Sequence, residues 1–112
     1  MFDNPKTESE LQMEFVSQFR KRYPGLRIFA IPNGGKRNLR EAMRLKAEGV
    51  CKGVPDLFIP ELLLWIELKS PDGKGRLSAE QGNWLDHLNG IGHHAVVCKS
   101  LDEAFAAVEK YK

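Results

Sequence analysis

Two short apolar runs that carry acidic residues constrain the fold of this chain more than any other feature. Residues 53–60 and 64–69 are both rich in Leu, Ile, Phe or Trp, which is typical of β-strands. Because successive side chains of a strand point to opposite faces, the second run presents its three aliphatic residues on one face. Its other face presents Trp65, Glu67 and Lys69. Ionisable residues are rare on strands this apolar, so the pattern indicates a chemical role.

Asp56 is the acidic residue of the first run. Pro60 and Glu61 lie between the two runs, where a tight reversal is predicted. If the runs pair as antiparallel strands, Asp56 lies at the far end of the hairpin, beside Glu67. Two adjacent carboxylates repel each other unless a proton or a cation lies between them. At neutral pH we expect a hard divalent cation such as Mg2+, bound through oxygen. The alternative is a pair of surface carboxylates at strand ends.

The sequence around these residues resembles a known nuclease family. Pro55-Asp56 followed by Glu67-Leu68-Lys69 resembles the PD-(D/E)xK superfamily. The D…ExK core alone is degenerate, but its spacing within the Pro-Asn-Gly-Gly and Gly-Val-Pro-Asp contexts is specific. The resemblance covers residues 7–107. It is closest to the VRR-NUC branch, of the stand-alone phage or bacterial type, at residues 31–35, 49–50, 53–56, 65–69 and 78–84.

The resemblance implies a metal-dependent nuclease site. In such a site Asp56 and Glu67 would bind Mg2+ or Mn2+ together with the backbone carbonyl of Leu68. Lys69 would lie next to the metal and the scissile phosphate. There its ammonium can orient the attacking water or stabilise the charge that develops in the transition state. The alternative for Lys69 is a strand-end lysine that only reaches solvent.

Two further residues are placed at the site by the resemblance, although each also has a local explanation. The family has an acidic residue on its first helix, and Glu10 stands in the matching place, with Glu14 one turn on as the reserve candidate. The family also has a glutamine near the site on a later helix, which Gln81 matches. However, Thr7-x-x-Glu10 and Ser78-x-x-Gln81 are both capping boxes, so capping alone explains them equally well.

Basic residues are concentrated in the first half of the chain. Residues 1–52 hold eleven Lys and Arg against six Asp and Glu, whereas residues 53–112 hold six against nine. This asymmetry is compatible with an electrostatic footprint for DNA, although a solvated basic helix gives the same pattern. Glycines in a turn allow phosphates to approach backbone N–H groups; a plain turn before a helix is the alternative. The candidate DNA-binding residues are Asn33, Gly34, Lys36, Arg37, Arg40, Arg44 and Lys74.

Length and composition favour one globular domain over residues 1–112, with 42% hydrophobic and 29% charged residues. No apolar run approaches the roughly 20 residues of a membrane span, and the N-terminus lacks the features of a signal peptide. We therefore expect a cytoplasmic protein in which Cys51 and Cys98 are reduced thiols. The sequence shows no zinc-type Cys/His spacing, phosphate-binding loop or Ser/His/Asp arrangement.

Caps, apolar stripes and turn residues predict the element order αβαββαβα. The helix between the Glu67 strand and the last strand should make those two strands parallel. The expected fold is α/β and restriction-endonuclease-like, with a central mixed four-stranded sheet flanked by helices. The predicted helices begin at Thr7, Asn38, Ser78 and Ser100, and the outer strands cover residues 26–31 and 95–98.

These features predict a Mg2+- or Mn2+-dependent endodeoxyribonuclease. The chain offers no separate region for reading base sequence, and stand-alone members of the family resemble junction-resolving enzymes. We therefore expect a homodimer that cuts branched DNA, chiefly Holliday (four-way) junctions, because one compact site needs a second copy to cut symmetric strands. The alternatives are a flap or single-strand nuclease of phage or mobile-element DNA processing, and a non-catalytic DNA-binding module.

Overall fold

Helices and strands alternate along the chain in the predicted order. The computed structural model describes residues 7–32 and 38–112, and that part of the chain contains four α-helices and four β-strands. The helices are α1 (Glu8–Arg22), α2 (Leu39–Ala47), α3 (Ala79–Gly90) and α4 (Leu101–Tyr111). The strands are β1 (Phe29–Ala30), β2 (Leu57–Ile59), β3 (Leu64–Leu68) and β4 (His94–Cys98).

Polar side chains set the starts of all four of these helices, at the residues that the sequence predicts. Thr7, Asn38, Ser78 and Ser100 each accept a hydrogen bond from the backbone N–H three residues on. Each bond satisfies an N–H group that the start of a helix leaves without an intrahelical partner. In α1 and α3 the third helical residue returns the bond, so both starts are complete capping boxes.

The four strands form one sheet in the order β1-β2-β3-β4. The first two pairings are antiparallel and the β3/β4 pairing is parallel, with α3 as the crossover that a parallel pair needs. The predicted α/β fold with a central mixed four-stranded sheet is therefore confirmed. Leu57 pairs with Ile66, and this register places Asp56, the residue before β2, level with Glu67.

Two strands are shorter than the sequence predicts. β1 has only two residues, because the N–H of Leu26 donates to the carbonyl of Tyr23 at 3.0 Å and this turn takes up the start of the predicted strand. β2 begins at Leu57 rather than at residue 53. Gly53 has a φ of +91°, which lies outside the range of a strand, so the chain reaches the sheet only after Pro55.

The reversal between β2 and β3 is one turn of 3-10 helix, Pro60–Leu62, at the position where a tight turn is predicted. Leu63 follows it in the left-handed region, with a φ of 49°. Glu61 in this turn accepts hydrogen bonds from the backbone N–H and a guanidinium N–H of Arg27, at 2.8 and 3.0 Å. These bonds tie the segment that enters β1 to the tip of the β2–β3 hairpin.

The main core lies on one face of the sheet. Alternate residues of β2 and β3 pack there against α1 and α4, whereas α3 covers the opposite face, where Leu85 and Leu88 contact Trp65. Glu67 shares the face of Trp65, so it emerges beneath α3 and not in the apolar core. The buried residues of the main core include Leu11, Phe15, Phe19, Leu57, Ile59, Leu64, Ile66, Leu68, Ala104 and Val108.

Candidate active site

The carboxylate of Asp56 reaches across the ends of β2 and β3. Its Oδ2 accepts a hydrogen bond of 2.7 Å from the backbone N–H of Leu68. The main chain of β3 therefore fixes the position of this side chain, and it does so directly beside Glu67. The negative charge of Asp56 is, after burial, the largest influence that raises the pKa of Glu67, as expected of two neighbouring carboxylates.

Glu67 is a buried acid, with 2% of its surface exposed. Its Oε2 accepts a hydrogen bond of 3.1 Å from Nε2 of Gln81 and lies 3.7 Å from Nζ of Lys69. Its Oε1 is buried and has no hydrogen-bond partner in the described part of the chain. Burial and the charge of Asp56 together raise the pKa of Glu67 to about 8. A buried carboxylate oxygen without a partner is costly and is suited to a cation or a proton.

Lys69 completes the cluster from the same strand face. Its side chain is buried, and its Nζ donates a hydrogen bond of 3.0 Å to Oε1 of Gln81. The ammonium is thereby held between Gln81 and Glu67 before any substrate binds. The structure does not place this lysine as a strand-end side chain in solvent, the alternative that the sequence leaves open.

Gln81 serves the helix cap and the carboxylate cluster at once. Its Oε1 accepts from the backbone N–H of Ser78 at 2.9 Å, which closes the capping box of α3. The same oxygen accepts from Lys69, and its Nε2 donates to Glu67. The two explanations that the sequence offers for this glutamine are therefore not alternatives, because one side chain has both sets of contacts.

On the first helix, Glu8 also acts on the cluster, although the sequence predicts Glu10 or Glu14 as the acid of this helix. The charge of Glu8 contributes to the raised pKa of Glu67. A Cβ on Gly75 would lie 3.4 Å from Oε2 of Glu8 and 3.3 Å from Cδ of Lys69, so both side chains border the same glycine. Glu10 instead accepts a bond of 2.9 Å from the backbone N–H of its cap residue.

The placement of Glu8 has a sequence signal. It precedes Leu11 by three residues and Phe15 by seven, so it extends the buried stripe of α1 by one turn. Glu10 and Glu14 lie beside that stripe instead. The family resemblance predicts Glu10, whereas helical spacing from the buried residues points to Glu8 as well.

Gly53 brings α3 close to the cluster. A Cβ at this position would lie 2.7 Å from Cβ of Glu80 and 2.9 Å from the backbone nitrogen of Gln81. Only a glycine allows the segment before Asp56 to pack this closely on the first turn of α3, and its φ of +91° also favours glycine. The contact fixes the distance between the segment that carries Asp56 and the helix that carries Gln81.

The structure describes three of the predicted DNA-binding residues, and all three are exposed. Arg40 and Arg44 are exposed on α2, and Arg44 pairs with Glu48 at 3.1 Å. Lys74 is exposed in the loop between β3 and α3, where its backbone N–H donates to Asp72 at 2.8 Å. The remaining predicted residues lie outside the described residues: Asn33, Gly34, Lys36 and Arg37.

The donor set suits a hard divalent cation. Among residues 7–32 and 38–112, no three or more His, Cys, Asp and Glu side chains form a group that holds a metal ion. Two carboxylates are nevertheless enough for Mg2+, which retains several waters and usually binds one or two carboxylates together with phosphate oxygens. Asp56 and Oε1 of Glu67, which has no hydrogen-bond partner among the described residues, provide that pair. Both donors are oxygen atoms, as Mg2+ and Mn2+ prefer.

Comparison with known proteins agrees with this geometry. A family model for the VRR-NUC domain matches residues 6–102. The chain belongs to the VRR-NUC family. A solved structure described as a VRR_NUC domain protein is 26% identical, with a TM-score of 0.76 over 97% of this chain and 90% of that chain. No curated protein matches the sequence.

Membership of the VRR-NUC family implies a nuclease-like domain that processes DNA. The match spans both Asp56 and the Glu67–Lys69 segment, so the cluster lies inside the region that defines the family. Within the described parts of this VRR-NUC domain, no helix is both long and apolar enough to cross a membrane.

Proposed function

We propose that this VRR-NUC domain is a divalent-metal-dependent endodeoxyribonuclease that hydrolyses phosphodiester bonds in branched DNA. The convergence of Asp56, Glu67 and Lys69 at the ends of β2 and β3 carries the proposal. Glu67 is buried with one oxygen that lacks a hydrogen-bond partner among the described residues. A fold gains nothing from a carboxylate in so costly a position, whereas an oxygen-ligand metal site requires one.

Asp56 and Glu67, with the backbone carbonyl of Leu68, are the groups that would hold Mg2+ or Mn2+. When bound, such an ion lowers the pKa of a coordinated water and offsets negative charge on the phosphate. The N–H of Leu68 holds Asp56 in place, and Gln81 holds Oε2 of Glu67. These bonds orient both carboxylates in advance, so little reorganisation is needed when the ion and the substrate bind.

Lys69 would act on the phosphate. Gln81 and Glu67 hold its ammonium in a buried position, where a positive charge is more effective than it is in water. There it stabilises the charge that develops on the phosphate oxygens during attack. It also offers a donor that can orient the attacking water.

Branched DNA, and the four-way junction above all, is the substrate that we favour. The chain contains one Asp56–Glu67–Lys69 cluster per copy, so symmetric cuts on two strands require two copies, as in a homodimer. A flap or single-strand nuclease is the second candidate, because the same cluster can hydrolyse a phosphodiester bond of an unpaired strand. The positions of the cuts on labelled flaps and junctions distinguish the two.

The test is cleavage of linear, flap and four-way-junction DNA, each labelled on every strand, with Mg2+, Mn2+ or EDTA. We expect cuts near the branch with either metal, none with EDTA, and none with Asp56→Ala. Asp86→Ala, which removes an exposed carboxylate of α3, is the matched control and should cut normally. Equal cutting of linear and junction DNA by a monomer would contradict the junction proposal. A protein that binds DNA but never cuts with a divalent metal would be a binding module.

A further inference from the structure

Two segments border the candidate active site, and a glycine of each lies against it. A Cβ on Gly75, in the loop that joins β3 to α3, would lie 3.3 Å from Cδ of Lys69 and 3.4 Å from Oε2 of Glu8. In the segment that leads into β2, a Cβ on Gly53 would lie 2.9 Å from the backbone nitrogen of Gln81. Both main chains therefore pack directly on residues of the site, so the side chains next to these glycines lie at its rim.

Each of the two glycines has a cationic neighbour in the sequence. Lys74 and Arg76 flank Gly75, and Lys52 precedes Gly53. All three cations are exposed, and we call them the cationic rim. Lys74 is among the DNA-binding residues that the sequence predicts, whereas no sequence motif singles out Lys52 or Arg76.

Lys52 lies near the first turn of α3. A hydrogen bond from its own backbone and the charge of Lys52 hold the pKa of Glu80 below its ordinary value. Glu80 precedes Gln81, whose side chain contacts both Glu67 and Lys69. The charge of Lys52 therefore acts one residue away from the glutamine that orders the carboxylate cluster.

Hydrogen bonds within the loop hold Arg76 in position. The backbone N–H of Gly73 donates to the carbonyl of Ser70 at 3.1 Å, and a guanidinium N–H of Arg76 donates to the carbonyl of Gly73 at 3.2 Å. This second bond occupies one of the five N–H donors of the guanidinium. A guanidinium can bind the two oxygens of a phosphate through its further donors. The loop thus presents Arg76 to solvent in a form suited to a phosphate.

The charges of the site itself offer a polyanion no net attraction. Three acidic side chains, Glu8, Asp56 and Glu67, lie there together with the ammonium of Lys69. A bound divalent cation would balance these charges without leaving a surplus of positive charge. DNA carries a negative charge on every phosphate, so cations next to the site are needed to attract it and hold it. The cationic rim has that sign of charge in that place.

We propose that Lys52, Lys74 and Arg76 bind phosphates of the DNA backbone next to the bond that is cut. The inference rests on the proposed nuclease function and deepens it, because it names residues that hold the substrate. Contacts with phosphates fix the position of DNA without reading its bases, which suits an enzyme that recognises the structure of DNA.

The experiment measures binding of fluorescein-labelled duplex and four-way-junction DNA by anisotropy in EDTA, at several salt concentrations. Arg76→Ala and Lys52→Ala should each weaken binding about fivefold. Each should also reduce the slope of log affinity against log salt by about 0.9, because one phosphate contact is lost. Arg76→Lys keeps the charge and should keep the slope. Lys110→Ala, which removes an exposed cation of α4, is the matched control and should bind normally.

Steady-state cleavage with Mg2+ separates substrate binding from a purely structural role of the loop. Loss of a contact that is equally strong in the ground state and the transition state raises KM and leaves kcat unchanged. We therefore expect Arg76→Ala to raise KM about fivefold at the kcat of the wild type. If Arg76 only holds the loop against Lys69, its loss would instead lower kcat and leave the salt dependence of binding unchanged.

The inference is overturned by Arg76→Ala and Lys52→Ala variants that are folded, as shown by circular dichroism, and bind both DNAs with the affinity and salt slope of Lys110→Ala. A fall in kcat alone, or a wild type that binds neither DNA, would overturn it as well. Failure here is distinguishable from failure of the nuclease proposal. A protein that cuts DNA while the rim variants bind normally refutes only the rim. A protein that binds DNA through the rim but never cuts refutes only the nuclease.

Discussion

The backbone N–H of Leu68 donates a hydrogen bond of 2.7 Å to Oδ2 of Asp56. This bond joins the residue before β2 to the last residue of β3, so the position of one acid depends on the main chain beside the other. The main chain of the sheet therefore ties the two carboxylates together at the ends of β2 and β3. Its remaining contacts come from the first turns of α1 and α3, and these contacts can be tested one at a time.

The contact between Gly53 and α3 can be tested with a matched pair of glycines. Gly53→Ala should destabilise the protein by more than about 2 kcal/mol, because it adds a clash with the backbone of α3 to the cost of a positive φ. Gly92 also has a positive φ, of +94°, but a Cβ there meets nothing within 4 Å. Gly92→Ala should therefore cost only about 1–2 kcal/mol. Urea unfolding gives both values.

The Gly53→Ala and Gly92→Ala variants should also differ in DNA cleavage. Displacement of α3 moves Gln81 away from Glu67 and Lys69, so Gly53→Ala should lose cleavage per folded molecule, whereas Gly92→Ala should retain it. Equal stability losses and equal cleavage by the two variants would show that the approach of Gly53 to α3 does not position the site.

The raised pKa of Glu67 makes the metal-free protein less stable at higher pH. Its folded pKa, about 8, lies above its ordinary value of 4.5, so the folded state binds the proton more tightly than the unfolded state does. The contribution of Glu67 to the free energy of unfolding is therefore fully present below its ordinary pKa. It is lost as the pH rises toward 8. Glu67→Gln should therefore remove that loss and raise the Tm at pH 8 in EDTA by about 5 °C or more.

The control for this measurement is Glu61→Gln. Hydrogen bonds from Arg27 hold the pKa of Glu61 below its ordinary range. The ionised form of this exposed carboxylate therefore stabilises the folded protein at pH 8. Its removal should not raise the Tm at that pH. Thermal melts in EDTA from pH 5 to pH 8 compare the three proteins. A Tm for Glu67→Gln that falls with pH as steeply as the wild type would refute the burial argument.

The first-helix acids are distinguished by Glu8→Gln and Glu10→Gln. Because Glu8 is the helix carboxylate whose charge acts on Glu67, its loss should reduce cleavage about ten- to a hundredfold, as for other groups that support metal ligands. Glutamine at position 10 still completes a capping box, so Glu10→Gln should keep both stability and cleavage. Initial rates at saturating Mg2+ and the Mg2+ dependence of the rate measure this. A larger loss for Glu10→Gln than for Glu8→Gln would instead assign the role to Glu10, as the sequence predicts.

Gln81→Glu isolates the site contact of Gln81 from its cap. A glutamate can close the capping box of α3 and accept from Lys69, but it places a carboxylate where Nε2 now donates to Glu67 at 3.1 Å. Cleavage should fall about ten- to a hundredfold while the far-UV circular dichroism stays unchanged. Ser100→Ala is the control, because it removes the cap of α4 at a cost of about 1 kcal/mol and should leave cleavage per folded molecule intact. Equal cleavage by Gln81→Glu and the wild type would make Gln81 a cap alone.

Much of the fold could be predicted from the sequence because its signals are local. Thr7, Asn38, Ser78 and Ser100 mark the helix starts by their own side chains, and alternation along β3 separates the face of Glu67 from the core. The start of β2 could not be predicted, because the positive φ of Gly53 accompanies a tertiary contact with α3. The start of β1 is set by a local turn from Tyr23 to Leu26, which an apolar run alone does not reveal.

The candidate active site likewise has parts that local sequence signals predict and parts that depend on tertiary packing. The spacing of Asp56 and Glu67 across one hairpin is enough to predict that they lie together. Which of Glu8, Glu10 and Glu14 faces the cluster depends on the rotation of α1 about its axis. The burial of Leu11 and Phe15 shows which face of α1 packs on the sheet. Gln81 can contact both its own helix cap and the cluster only because the first turn of α3 lies over β3. No local sequence pattern indicates that position of α3.

The central claim is that Asp56 and Glu67 share one divalent cation, and calorimetric titration of Mn2+ into the metal-free protein tests it most directly. We predict one binding event that releases protons at pH 7, because the raised pKa of Glu67 leaves it protonated before the ion binds. Asp56→Asn and Glu67→Gln should each abolish that event, and Asp86→Ala should leave it unchanged. Mn2+ binding that survives in both Asp56→Asn and Glu67→Gln would contradict the claim.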